Sequence, residues 1–354
     1  MMKKHWQQRI AIALLVIVAG VFWGGAIRHM EEVKEQEVTA EQLEENTVLL
    51  GGMPIGIYLK TDGVMVLSTA SLVGADKKTY DPARNIVRPG DYILKINGEK
   101  VENKKSLIKE MEGLRSKEVI LELKRKEEKL SVRLNAVRTE RDEYKLGIWV
   151  RDDTQGLGTI TYLTKGSKFG ALGHGIHDMD TNLLLEIEKG SLYDTSIRSV
   201  IKGEKGQPGS LEGIIVYNSY NRLGTIEKNT EIGIYGTLEK LDRLFEEQIP
   251  VKIGSRSKVT QGKAQIRCST GGEVKFYDIE ILEIDTYQRD VNKGFVIRVT
   301  DPELLEETGG IVQGMSGSPI LQEGKLVGAV THVFVNDPTK GYGIFIEDML
   351  KETE

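Results

Sequence analysis

From about residue 138 to the C-terminus the chain is a succession of short apolar runs closed off by turn residues: Leu146 to Val150, Gly158 to Tyr162, Gly213 to Tyr217, Glu231 to Tyr235, Tyr277 to Ile281 and Phe295 to Val299. That spacing predicts an all-β barrel or sandwich. The 39 glycines in 354 residues suit many turns between short strands, and within this region Leu238 to Glu247 reads as one short helix. A single cysteine, Cys268, excludes an intramolecular disulfide, so packed cores must supply the stability. Its strand-like setting, Gln265 to Ser269, predicts a small core residue rather than a nucleophile.

A smaller unit is expected from about 46 to 137, ahead of the region 138–354. Val87 to Val101 reads as a Pro89-Gly90 turn, an alternating strand, an Asn97-Gly98 turn and the start of another strand. Asn103 to Lys117 sets Leu107, Ile108, Met111 and Leu114 on one helical face. Runs from Val119 and Leu130 then form a closing strand pair around the charged turn Arg125 to Lys129. The stretch resembles a PDZ domain, which implies a ligand strand added at an exposed sheet edge and a glycine-containing loop for a terminal carboxylate. Pro54-Ile55-Gly56-Ile57 is the expected loop, with Tyr58-Leu59-Lys60 as the edge strand. The loop departs from the common Gly-Leu-Gly-Phe form, so binding of an internal peptide stands level with carboxylate capture. A small β-rich domain without a ligand is the alternative.

Residues 10 to 27 are 18 consecutive uncharged positions, preceded by Lys3, Lys4 and Arg9 and followed by Glu31, Glu32, Glu35 and Glu37. As a helix they would reach about 27 Å, enough to cross a bilayer core. The positive flank would stay in the cytoplasm and the rest would be exported. The segment serves either as an uncut anchor or as a signal removed near Gly24-Gly25-Ala26. Residues 28 to 45, rich in Glu, Gln and Lys, read as a solvated acidic tether where cleavage is easy. The net charge of -5 comes without a clustered basic face, so nucleic acid is not an expected partner. With no phosphate loop, paired-cysteine site or dinucleotide fingerprint, no cofactor is expected either.

The run Gly314-Met315-Ser316-Gly317-Ser318-Pro319-Ile320 sets one serine in a glycine-bounded turn ahead of a hairpin-like sequence. A nucleophilic hydroxyl must stand clear of such a turn. Backbone N–H groups, here those of Gly314 and Ser316, must converge on the oxygen that turns negative when an acyl carbon becomes tetrahedral. A plain Gly/Ser loop is the alternative. Of five histidines, His5 and His29 flank the apolar segment, leaving His174, His177 and His332. His174 lies between glycines in Phe169 to Gly175 and far ahead of Ser316. That order belongs to two-barrel serine peptidases rather than to the α/β-hydrolase elbow, which also needs glycine where Ser318 stands. His177 equals it on spacing alone, and beside Asp178 and Asp180 it makes a metal reading that lacks the usual spaced ligand set. An orienting carboxylate is recognised by geometry, which leaves Asp301, Asp178, Asp180 and Asp194 open.

Three strings carry a wider resemblance: Phe169-Gly-Ala-Leu-Gly-His174, Gly309 to Pro319, and Gly328-Ala-Val-Thr-His332-Val-Phe-Val335-Asn336-Asp337-Pro338. They resemble the stage IV sporulation protein B peptidases of endospore-forming bacteria, from about residue 46 to the end. The resemblance implies a mainly β protein: an N-terminal transmembrane helix, a PDZ domain and a chymotrypsin-like all-β peptidase domain. It implies His174, Asp301 and Ser316 as the catalytic triad, although Asp301 before Pro302 reads equally as a helix N-cap. His332, on the strand after the nucleophile, is expected to line the substrate pocket, with a packed strand histidine as the alternative. The resemblance further implies export into the space between the two forespore membranes, and self-processing that involves other copies in trans. The implied substrate is a membrane-bound regulator, whose cleavage lets an intramembrane metallopeptidase activate a late sporulation sigma factor. The tether at 28–45 is the expected self-processing region. Competing classes are a membrane-anchored PDZ scaffold with an inactive peptidase domain and, more remotely, a lipase or esterase.

Overall fold

Strand β1 (Thr47–Leu50) leads into β2 (Pro54–Thr69), which is long enough to serve two separate cores. The chain then forms β3 (Tyr92–Ile96), helix α1 (Lys104–Glu112), β4 (Glu118–Arg125) and β5 (Glu128–Asn135), and returns along β2 as the equally long antiparallel strand β6 (Ile148–Leu163). This computed structural model describes residues 43–285 and 290–353. The expected membrane segment at 10–27 and nearly all of the tether lie outside them. Among the described residues no helix is long and apolar enough to cross a membrane.

The far ends of the two long strands build the smaller unit. Val64 and Met65 pair with β3, β3 with β4, β4 with β5, and Ile148 to Arg151 pair back onto Met65 to Thr69. Helix α1 starts from a capping box between Asn103 and Ser106 and stops at Gly113, so it is shorter than the expected 103–117. Its Leu107 enters the core of Val64, Val66, Ile93, Leu121 and Leu123.

The near ends belong to a different body. With β7 (Lys168–Ala171), β8 (Ile187–Tyr193), β11 (Arg222–Thr230) and β12 (Gly233–Leu238), they close a ring in the order β2, β8, β11, β12, β7, β6. Ile55, Ile57, Leu59, Ile160, Leu192 and Ile226 fill it. A hairpin of β9 (Thr195–Ile201) and β10 (Ser210–Ile215) springs from this barrel. After the short helix α2 (Leu241–Leu244) and β13 (Pro250–Ile253) comes a second ring. It uses β14 (Gly262–Cys268), β15 (Lys275–Ile284), β16 (Phe295–Val299), β17 (Pro319–Gln322), β18 (Lys325–Phe334) and β19 (Asp337–Phe345). Pairings run β14, β15, β16, β19, β18, β17 and back to β14. Helix α3 (Pro302–Thr308) follows β16, and α4 (Ile346–Lys351) ends the chain. The all-β expectation is therefore met by two barrels. Cys268 is buried in the second one, where burial pushes its thiol up to about 12.

The expected boundaries, 46–137 and 138–354, are corrected by this topology. The smaller unit is inserted into the β2–β6 hairpin of the first barrel, and residues 54–60 are barrel residues. Pro54, Ile55, Gly56 and Ile57 consequently form no ligand loop: Gly56 and Ile57 are flanked by β6 on one side and β8 on the other, as are Tyr58, Leu59 and Lys60. A backbone paired on both sides has no edge to offer a ligand strand.

Arg267 of β14 ties the second barrel to the first. Its guanidinium is buried and donates from Nη1 to the carbonyls of Leu50 at 3.2 Å and Gly51 at 2.7 Å. Replacing it would leave a buried oxygen pair without that donor. Arg267→Ala is expected to lower the free energy of unfolding by about 2–4 kcal/mol, read by urea denaturation; an unchanged midpoint would contradict the role.

Candidate active site

The turn around Ser316 is shaped by its glycines and suspended from the first barrel. Gly314 (φ 99°) and Gly317 (φ 94°) lie in the left-handed region, and a Cβ on Gly317 would stand 2.1 Å from the Thr159 carbonyl oxygen. The hydroxyl of Thr159 donates to the Gly314 carbonyl at 2.8 Å, and its N–H to the Ser316 carbonyl at 3.0 Å. Thr161 adds a hydroxyl on the Gly317 carbonyl at 2.8 Å. Upstream, Gln313 is pinned by the β9–β10 hairpin: its N–H donates to Gly209 and its carbonyl accepts from Leu211. With the carbonyls held outward, the N–H groups of Gly314 and Ser316 donate to nothing among the described residues. The Ser316 hydroxyl donates to the carbonyl of Thr331 at 2.8 Å.

His174 comes off β7 through two left-handed residues, Leu172 and Gly173, both at φ 71°. This loop packs on the serine turn: the Leu172 nitrogen would lie 2.5 Å from a Cβ on Gly317, and a Cβ on Gly173 would touch Thr331. His174 Nδ1 faces the Gly175 carbonyl at 2.9 Å. A carbonyl only accepts, so Nδ1 carries the proton and Nε2 keeps a lone pair. Burial lowers the His174 pKa, nearby His177 lowers it further, and the Gly175 bond opposes both. His332 lies against this ring, centroids 4.8 Å apart and planes at 34°. A bulge in β18 brings it there, since the register with β19 slips between Val330 and Val333. Its outer edge meets solvent, but the covered face, with His174 and Lys293 close by, pushes His332 down to about 4.

The structure thus gathers Gly314, Ser316, His174 and His332, with no hydrogen bond yet joining Ser316 to His174. It does not bring an aspartate to the imidazole. Asp301 caps α3, accepting from the N–H groups of Glu303 at 2.9 Å and Leu304 at 3.2 Å, and also receives the Asp278 N–H at 3.2 Å. Its expected place beside His174 is therefore corrected for this arrangement: the N-cap reading of Asp301-Pro302 prevails. Asp178 is paired with Arg151 and closes its own turn through Thr181, while Asp180 bonds Arg151 at 2.7 Å. Asp194 bonds Arg243 at 2.7 Å. His177 faces Glu231 rather than either aspartate, and among the described residues no three His, Cys, Asp or Glu side chains are placed to hold a metal ion. Thr159, Thr161 and Thr331 escaped the sequence reading, because threonine in a strand carries no signal of its own.

A serine hydroxyl on a turn whose Gly314 and Ser316 amides donate to nothing among the described residues, beside a loop that carries an imidazole, is the equipment of acyl transfer in serine peptidases. Residues 142–350 match the family described as SpoIVB peptidase S55, more than half of the chain. The chain belongs to that family and is a serine endopeptidase. No curated protein matches it. Similar solved structures include the PDZ domain of the SdrC-like protein from Listeria monocytogenes (19% identity, 26% of this chain and 90% of that one, TM-score 0.22). Two others are the active form of the Rv3671c protease of M. tuberculosis (13%, 56% and 73%, 0.33) and the thermostable serine protease AL20 from an extremophilic microorganism (10%, 56% and 91%, 0.33).

Capping by Asp301 has a measurable consequence. Asp301→Ala is expected to lower stability by about 1 kcal/mol in thermal melting, and Asp301→Asn, which keeps an acceptor, to restore it. Activity lost in the asparagine variant at unchanged melting temperature would reveal a role for the carboxylate beyond the cap.

Proposed function

We propose that this peptidase acts in sporulation signalling, outside the cytoplasmic membrane and tethered to it or released from it through residues 10–27. Its proposed substrates are its own N-terminal region, in other copies of the chain, and a membrane-bound regulator of an intramembrane metallopeptidase. The observation that carries the chemical part is that the amides of Gly314 and Ser316, on the turn that bears the serine hydroxyl, donate to nothing among the described residues. Ser316 Oγ gives its proton to His174 Nε2 and bonds to the substrate carbonyl carbon. The carbonyl oxygen becomes negative and is received by the two amides. His174 then returns the proton to the departing nitrogen, and water releases the acyl group by the same route.

Before this can start, the Ser316 hydroxyl must leave the Thr331 carbonyl. An extended substrate lying along the bulged end of β18 brings a backbone N–H for that carbonyl and so turns the hydroxyl toward His174. His332 borders the same end of the cleft and supports His174, and it is proposed to influence both substrate preference and turnover.

The smaller unit is proposed to be a PDZ domain that recruits protein partners. Its binding edge is reassigned from 54–57 to Leu146-Gly147-Ile148 and the strand that follows. Gly147 has φ 65°, residues 148–151 pair only with β2 among the described residues, and α1 packs near them. An inactive scaffold is the competing reading, because the hydroxyl rests on Thr331.

A fluorophosphonate probe should label the wild-type chain, and Ser316→Ala should prevent labelling and self-cleavage. His174→Ala should reduce turnover about 10⁴-fold or more. No label on the wild type would select the scaffold. The base works when neutral, and burial lowers its pKa, so the acid limb of kcat/KM should lie below the ordinary histidine value of about 6.5. Stability follows the same sign. The unfolded chain protonates His332 first, so stability present above about pH 6.5 should decline as pH falls toward 4.

A further inference from the structure

His174 has no carboxylate on its Nδ1, yet the oxygen that holds it is itself held. The Gly175 carbonyl takes His174 Nδ1 at 2.9 Å and His177 Nδ1 at 3.3 Å. The other nitrogen of His177 lies 3.2 Å from Oε2 of Glu231. Both ring nitrogens of His177 therefore face oxygens, one of the Gly175 carbonyl and one of the Glu231 carboxylate. Glu231 sits in the tight turn between β11 and β12, and its backbone grips the same peptide: its carbonyl accepts the Gly175 N–H at 3.1 Å and Asn292 Nδ2 at 2.8 Å. The Gly175 peptide is thus clamped at its N–H by the main chain of Glu231 and at its oxygen by a ring bonded to the side chain of Glu231.

We propose that His177 and Glu231 are positioning residues, which fix the Gly175 carbonyl that orients His174 and supply the negative charge for its cationic form. The inference rests on Ser316 and His174 acting as nucleophile and base. When His174 Nε2 takes the serine proton, a positive ring forms beside His177 and His332. The Glu231 carboxylate offsets that charge through His177. Among the described residues, the other carboxylates nearby are committed elsewhere. Arg151 holds Asp178 and Asp180, and Asp290, on the far side near His332, is paired with Lys293 at 2.7 Å.

The pH dependence of kcat/KM for the full chain carrying His177→Gln or Glu231→Gln tests this. Glutamine at 177 keeps a donor for Gly175 but removes a ring that opposes protonation of His174, so the acid limb should move to higher pH. Glutamine at 231 keeps an acceptor but removes the charge, so the limb should move to lower pH. In both variants kcat should fall about 10-fold or more with KM within about two-fold, and Glu231→Asp should recover most of the loss. Limbs that stay put, or move the same way in both variants, overturn the inference. Glu231 is exposed at the surface, so its variants keep the test independent of folding. Ser316→Ala separates the two levels: an active Ser316→Ala chain removes the nucleophile reading itself, whereas an inactive one with unmoved limbs removes only the clamp.

Discussion

Everything at the active site hangs from the antiparallel pairing of β2 with β6. The ladder runs from Ile148 opposite Thr69 to Thr159 opposite Pro54 and passes from the smaller unit into the first barrel with only local slips in register. At the crossing point the Thr61 hydroxyl reaches the Gly63 and Asp152 carbonyls, and a Cβ on Gly63 would collide with the Ile93 oxygen at 2.4 Å. A joint made of continuous strands resists independent swinging far better than a flexible linker. Thr159, the last rung of that ladder, and Thr161 just beyond it on β6 hold the carbonyls of the serine turn. The proposed peptide-binding edge of the smaller unit and the supports of the serine turn therefore lie on one strand.

The electrostatics of the site start from burial, with no carboxylate bonded directly to the His174 ring among the described residues. Three imidazoles lie close together, and burial disfavours the charged form of His174 and His332. For His174 in its proposed role as base, the benefit is that burial favours the neutral form, while the drawback is weaker basicity toward the serine proton. Hydrogen bonding to a peptide oxygen restores part of that basicity, because the Gly175 carbonyl favours the protonated ring. Balance between the two terms depends on how firmly that carbonyl is held.

What the sequence disclosed and what it concealed divide along the range of the interactions. The turns that carry Ser316 and His174 were legible because glycines at 173, 175, 314 and 317 mark backbone geometry that is local to each string. The β-runs were legible for the same reason: alternation and turn residues act over a few positions. The insertion was not, because residues 54–57 read equally as a glycine-containing loop and as a barrel strand, and their partners lie some hundred positions away at 156–159 and 192–193. Leu146-Gly147-Ile148 was read as strand alone for a related reason, since a single left-handed glycine leaves the apolar pattern intact. Asp301 before Pro302 suited a cap and a catalytic acid alike, and only three-dimensional contacts could choose. The threonines of β6 are the quietest case: in a strand, Thr is selected for its branch as often as for its hydroxyl.

The bulge at Thr331 and His332 brings these constraints together. In an uninterrupted ladder the Thr331 carbonyl would be committed to a neighbouring strand, and His332 would alternate onto a fixed face of the barrel. Slipping the register frees the carbonyl to accept the Ser316 hydroxyl and swings the ring against His174. The same residue is anchored on its other side, where the Thr331 hydroxyl donates to the Asn292 carbonyl at 2.7 Å. Ser316 and His174 are thereby held next to the stretch of β18 that slips out of register with β19. On the proposed mechanism, a peptide that satisfies the Thr331 carbonyl would free the Ser316 hydroxyl for His174, so that recognition of extended backbone and the onset of chemistry would coincide.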